Sequence, residues 1–309
     1  MKERKITLGT LLCLIIIFVL IMALAAMYVY YNFTPKENYS NLGNITNNDN
    51  INNEIDNKEP VIIELDVESE LAKKLYKYIL KFNYYDETLV YQDKKVTYSN
   101  IDNKLKLLTT FENLGIDDAK KIKSTEYTCV VEEDGNSYKY LYMKETVEEK
   151  LKEIFGENAT VEHENCSPHD GYNRLYGNGT YTCYEYAGGG DVPWSSSISN
   201  LIKAEEDGNN IYLYDNYIHL VEAESTETGM EYDIYATSDR KISIAKGINL
   251  EEDGVYEGTE ELNGDEYMKV YMNNLLNILG KDKIKTFKHT FSRDDSGNYF
   301  WVSSEIVEI

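Results

Sequence analysis

The chain has 309 residues, with 54 acidic against 31 basic side chains and a net charge of −23. Such a surface repels phosphate backbones, and no basic stripe interrupts it, which argues against nucleic acid as a partner. The acids are scattered along the chain rather than clustered, so solubility is their first role and capture of basic partners only their second.

The N-terminus sets the expected address. From Ile6 to Tyr31 run 26 residues without a charge, long enough as a helix to cross the ~30 Å hydrocarbon layer. Lys2, Arg4 and Lys5 precede this run, and the positive-inside rule then leaves residues 1–5 in the cytoplasm and exports the rest. Tyr28, Tyr30, Tyr31 and Phe33 sit at the outer end, where aromatic rings favour the interface. The competing reading is a cleaved signal peptide, with Ala23-Leu24-Ala25 as the small-x-small site. The length of the run favours a single-pass anchor, with the lipid bilayer as partner through residues 6–31. Outside it stand 28 basic and 53 acidic residues, a net charge of −25.

Residues 32–60 include ten asparagines and few apolar side chains, a composition that cannot offset the entropy of ordering; a disordered linker spanning about 30 Å is expected. The part from 61 to 157 reads as helix-rich. Leu71, Leu75, Tyr78, Ile79 and Phe82 share a helical face behind Asp66 as cap. Ser99 to Asp102 forms a capping box ahead of Ile101, Leu105, Leu108 and Phe111, stopping at Gly115. A third helix runs from Thr146, boxed by Glu149, to Gly156. Between the second and third, Tyr127, Cys129 and Val131 alternate, and Glu132-Glu-Asp-Gly135 turns the chain into Tyr138, Tyr140 and Tyr142. The same four-residue string returns at Glu205–Gly208 and Glu251–Gly254, and is read as turns without a ligand.

From 158 to 309 the pattern is mainly strand. Runs at 172–176 and 181–186 flank Gly177-Asn-Gly179, and others follow at 217–224, 232–237 and 241–246. A late helix carries Tyr267, Tyr271, Leu275 and Ile278 to Gly280, and the chain closes in a hairpin, 284–292 with 299–306, around Asp294-Asp-Ser-Gly297. Helices and antiparallel strands in separate blocks predict an α+β fold, with amphipathic helices packed on antiparallel sheet.

The charged N-terminus, apolar span, Asn-rich linker and Tyr-rich region ending in Asp295-Ser-Gly-Asn-Tyr-Phe-Trp301 resemble uncharacterised single-pass anchored proteins of AT-rich Gram-positive bacteria. That resemblance implies a cell-surface location and carries no catalytic residue. The last helix and hairpin are also similar to cone-shaped NTF2-like domains, by analogy alone.

No catalytic, cofactor or metal motif stands out. In an oxidising compartment Cys166 and Cys183, flanking the Gly177-Asn-Gly179 turn, are the expected disulfide, with Cys129 left over and other pairings open. His163, Cys166, His169 and Asp170 are zinc-ligand types, but their spacing fits no metal motif, and a cystine removes the thiolate. Ser238-Asp-Arg-Lys241 fits Ser-x-x-Lys only as a turn between strands. Gly188-Gly-Gly190 lacks the lysine of a phosphate loop and leads instead to Trp194 and Ser195–Ser197, the candidate binding loop. The expected function is a cell-surface binding or structural module for an unknown extracytoplasmic ligand or protein. The alternatives are a hydrolase using paired carboxylates in a cleft, and an NTF2-like sensor with an apolar cavity between last helix and sheet.

Overall fold

The computed structural model describes residues 61–81, 89–124, 131–133, 136–167, 173–184, 195–226, 229–259, 262 and 264–308. The apolar span 6–31, the linker 32–60, Cys129, His169, Asp170 and Trp194 lie outside the described residues. Everything described falls in one unit, Lys58–Ile309, an α+β arrangement of antiparallel sheets and four α-helices. Among the described residues no helix is long and apolar enough to cross a membrane.

The helices are α1 (Glu70–Lys77), α2 (Asn103–Glu112), α3 (Lys144–Phe155) and α4 (Gly264–Leu279). Local chemistry sets their ends. The Ser69 hydroxyl caps α1, while Asp66, the cap expected from sequence, accepts instead from the Glu68 amide in the turn before it. Asp102 caps α2 through the Leu105 amide at 2.7 Å. The third helix begins two residues before Thr146, with Met143 at the cap and no side-chain bond, so the expected box does not form. It stops at Gly156, whose φ of 91° places it in the region that glycine adopts cheaply. A Cβ there would also meet the Phe300 ring at 3.0 Å.

Eight strands form the larger sheet: β1 (Ile63–Leu65), β2 (Val96–Thr97), β8 (Ser195–Glu206), β9 (Asn210–Thr226), β10 (Gly229–Tyr235), β11 (Ser243–Asn249), β12 (Lys285–Arg293) and β13 (Tyr299–Val307). Its order is β1-β8-β9-β12-β13-β2. The 17-residue β9 is the spine: β8 follows one edge, while β12 pairs with its first half and β10 with its second. The smaller sheet, ordered β3-β5-β7-β6 with β4 beside β5, comprises β3 (Lys120–Lys123), β4 (Val131–Glu133), β5 (Asn136–Met143), β6 (Asn173–Gly177) and β7 (Thr180–Tyr184). Pairing of β5 with β7 carries this sheet across the 157/158 boundary drawn from composition. The β6–β7 turn has Asn178 and Gly179 both at positive φ, the geometry favoured by two-residue hairpins.

The period-2 alternation of β9 separates two cores. Ile211, Leu213 and Tyr217 enter a cluster shared with Leu75, Leu105, Leu108, Leu151, Phe287 and Trp301, beneath α1, α2 and α3. Ile218 and Leu220 face the other way, into a cluster with Ile234, Met272, Leu275 and Leu276 under α4. Two residues expected on helix core faces are exposed instead, Leu71 at 41% and Ile278 at 38%.

Candidate functional site

The first core holds a polar chain where an apolar one would suffice. Asp215 of β9, His289 of β12 and Ser304 of β13 are fully buried side by side across the sheet. Ionised, Asp215 can only accept, and it does so from three directions: the Tyr76 hydroxyl at 2.8 Å, the Tyr91 hydroxyl at 2.6 Å and His289 Nε2 at 3.0 Å. On its far side His289 Nδ1 lies 2.6 Å from Ser304 Oγ, which accepts from the Trp301 indole at 3.0 Å. That last bond depends on the irregularity of pairing at Thr290/Phe291, which turns Trp301 and Ser304, three residues apart, to the same face. One proton per bond closes the chain: Trp301 to Ser304, Ser304 to Nδ1, and Nε2–H to Asp215.

This row shares residue types with a Ser-His-Asp triad but not its chemistry. A nucleophilic serine needs an open side facing substrate and an imidazole ready to take its proton. Here Ser304 is sealed in and occupied by the indole, so the row is a structural clamp. Burial, followed by the nearby Asp215 charge, pushes the phenol pKa values of Tyr76 and Tyr91 well upward, which keeps both as donors. Tyr91 is further held by stacking on Tyr217, ring centroids 3.9 Å apart.

Tyr76 links this clamp to the surface. It lines a cleft of about 640 Å³ between α1 and the start of β8. Ser197 and Ser199 form the β8 wall; Lys73, Lys74, Lys77 and Lys81 bring positive charge, and Glu70 is the carboxylate among the lining residues. The lysines gather here because positions three, four and seven apart share a helical face. Lys81, beyond the end of α1, folds back so that its ammonium donates to the Tyr76 and Ile79 carbonyls and lies 3.8 Å from the Tyr76 ring centroid. Part of its role is therefore to complete a helix terminus. Burial pulls its pKa down to about 8, with the Asp215 charge acting in the opposite direction.

The serine wall is also prearranged. Ser197 Oγ lies 2.7 Å from the Tyr217 hydroxyl and 3.2 Å from His219 Nδ1. His219 Nε2 accepts from Arg240 Nε at 3.4 Å, so the ring proton sits on Nδ1, where the Ser196 carbonyl accepts as well as Ser197. Burial, and then the Arg240 charge, lower the His219 pKa to about 4. Ser197 thus cannot donate to Nδ1 and keeps its own proton for Tyr217 or for a cleft occupant. Ser199 Oγ is 2.8 Å from the Tyr76 hydroxyl, whose proton goes to Asp215.

The structure reassigns most residues singled out from sequence. Cys166 is a buried thiol, and Cys183 is half of a disulfide whose other cysteine lies outside the described residues. The expected Cys166–Cys183 bridge is ruled out by pairing: Cys166 bridges to Arg174, which pairs with Cys183 on its other side. Two strand spacings, about 9–10 Å, exceed what a disulfide spans. His163 has both ring nitrogens engaged, Nδ1 by the Tyr181 hydroxyl at 2.9 Å and Nε2 by Glu148 at 3.2 Å, and the described residues contain no metal-ligating cluster. Ser238 is buried and donates to the Tyr91 carbonyl at 2.9 Å, while Lys241 pairs with Asp239 and Asp93, so the two form no dyad. Of the candidate loop, Ser195–Ser197 open β8 and Ser197 reaches the cleft; Trp194 is outside the described residues.

Sequence reasoning passed over Tyr76, Lys81 and Asp215. The lysines had left a trace: residues 71–85 hold four lysines and no acid, in a chain where acids outnumber bases. No protein family matches this chain, and neither a curated protein nor a solved structure is found similar to it.

Proposed function

We propose that this chain is a single-pass, membrane-anchored extracytoplasmic binding module that takes an anionic ligand in the cleft between α1 and β8. Residues 6–31 provide the anchor and residues 32–60 the linker, placing the α+β unit outside the cell. The observation that carries the ligand reading is the cleft lining, four lysines against one glutamate in a chain of net charge −23. Ammonium groups and hydroxyls are donors, and they sit over a clamped, well-packed floor that needs no rearrangement to receive an acceptor.

The hydrolase alternative finds less support. Paired carboxylates would be expected in the cleft, and among the described residues that line it Glu70 stands alone. Among the described residues, every carboxyl with a resolved pKa shift is displaced downward, away from a general acid. The sensor alternative needs an apolar cavity under α4, where Met272, Leu275 and Leu276 instead pack on Ile198, Ile218 and Leu220. Two experiments test the proposal. External protease added to intact expressing cells should digest the α+β unit and spare a fragment containing 6–31; full protection would overturn the topology. Small organic anions should bind the purified full-length chain, and Lys77→Glu with Lys81→Glu should abolish binding; unchanged binding would move the site elsewhere.

A further inference from the structure

Resting on the reading of the cleft as a binding site, we infer that its ligand is a phosphate monoester whose phosphoryl group sits at the Lys77–Lys81 end. The four lysines are not equivalent. Lys73 pairs with Glu68 at 2.9 Å, and Lys74 with Glu153 at 3.0 Å. Glu153 also accepts from Lys150 and the Tyr78 hydroxyl; burial opposes its ionisation, but these bonds outweigh that and hold its pKa at about 2. Lys73 is thereby neutralised, and Lys74 shares the single Glu153 charge with Lys150. Among the described residues Lys77 makes no ion pair; Lys81 bonds to carbonyl oxygens and lies over a ring, and the nearby buried Asp215 charge answers its own only in part. The positive charge left for a ligand gathers at the Lys77–Lys81 end.

Two ammonium groups whose charge Asp215 answers only in part, with Lys74 half-compensated beside them, suit a phosphate monoester, which carries about −1.5 to −2 at pH 7. A single carboxylate answers less of that charge. The donor types agree. Lysines are point charges on flexible stems that can approach a tetrahedral group from different sides, whereas a planar carboxylate is best matched by an arginine fork, absent from this lining. Ser197, which cannot donate to the N–H of the neutral His219, has a proton to offer a phosphoryl oxygen. Glu70 lies seven residues before Lys77, about 10 Å along the helix axis, so it repels the phosphoryl group from the opposite end. The cleft, at about 640 Å³, has room for the remainder of a small ester beyond the phosphate.

The test uses the purified full-length chain in detergent micelles at pH 7.5, with calorimetric titration of phenyl phosphate, benzoate and isophthalate. Phenyl phosphate should bind at least tenfold more tightly than either carboxylate. Lys77→Gln and Lys81→Gln should each weaken it about tenfold, and Ser197→Ala by a smaller factor, with melting temperatures confirming that each variant folds. Isophthalate binding as tightly as phenyl phosphate would overturn the phosphoryl assignment while leaving an anion-binding cleft. No binding by any of the three, or binding indifferent to Lys77→Gln and Lys81→Gln, would overturn the cleft itself. A lipid headgroup presents the same phosphoryl chemistry. Displacement of phenyl phosphate by phosphatidic acid in the micelles would support the assignment with a lipid as source, and lack of displacement would support it with a soluble ester.

Discussion

The two faces of the larger sheet are buried by different means. Under α4 the packing on the sheet is apolar: Ile198, Ile218, Leu220 and Ile234 meet Met272, Leu275 and Leu276. On the opposite face β9, now with β12 and β13, surrounds Asp215, His289 and Ser304 with Tyr91, Tyr217, Phe287 and Trp301. The apolar face is additive, each side chain contributing its own area and tolerating neighbours of similar volume. The polar face is conditional, because Tyr76, Tyr91 and His289 all depend on one carboxylate. That dependence lets the cleft floor keep a single arrangement, since Tyr76 belongs to both clamp and cleft.

The contrast is broken most severely at its hub. Asp215→Ala removes the acceptor of three buried donors and should cost about 3–5 kcal/mol in urea unfolding, with loss of cooperativity if the sheet loosens. On the other face Leu275→Ala, at a fully buried position, should cost about 2–5 kcal/mol through lost transfer energy and a cavity. The informative comparison is with conservative changes. Leu275→Met should cost under about 1.5 kcal/mol, whereas Asp215→Asn keeps the shape and should still be severely destabilising, because an amide nitrogen would face a donor. If both conservative changes were mild, the polar face would be no more conditional than the apolar one.

A third effect, somewhat smaller, appears on acidification. The folded pKa of His219, about 4, is depressed below its ordinary 6.5, so the unfolded chain takes up a proton that the folded chain refuses. This contribution is complete above pH 6.5 and is lost as pH falls towards 4, at most about 3 kcal/mol. Histidine ring resonances followed by NMR should show His219 titrating near 4. A midpoint at 6 or above would remove the neutral donor assigned to Ser197.

How far the sequence foretold this division depends on the range of the interaction. Turns and helix stops were legible because they are local: Asn178-Gly179, Gly156 and Gly280 all adopt the positive φ that their residue types favour. The alternation of strands and the α+β class followed from the same periodicities. The clamp was not legible, since Asp215 lies 139 residues from Tyr76 and 74 from His289, and nothing nearby distinguishes it from 53 other acids. The Cys166–Cys183 expectation failed similarly, because hairpin proximity along the chain does not reveal that Arg174 stands between the two cysteines. Alkylation of the unfolded, unreduced chain should therefore label Cys166 and spare Cys183.

The smallest effect on stability should have the clearest effect on binding, and it concerns the residue where clamp and cleft meet. Lys81 faces Asp215 from β9 and the Tyr76 ring and carbonyl from α1, with Lys77 the nearest like charge along the chain. Its folded pKa of about 8 lies below its ordinary 10.5, so stability should rise gently between those values as the unfolded chain alone still holds the proton. Binding runs the other way. Below about 8 the ammonium is present for an anion; above it the charge is lost, so affinity for phenyl phosphate should fall roughly tenfold from pH 7 to 9, the worth of one hydrogen bond to a charged group. A bound dianion favours the protonated amine and should move the midpoint upward. Lys81→Gln should bind weakly and without this slope, whereas Lys77→Gln should bind weakly and retain it. Because phenyl phosphate is already dianionic throughout this range, a slope that persisted in Lys81→Gln would have to come from another group, and Lys81 would then belong to the helix terminus rather than to the ligand.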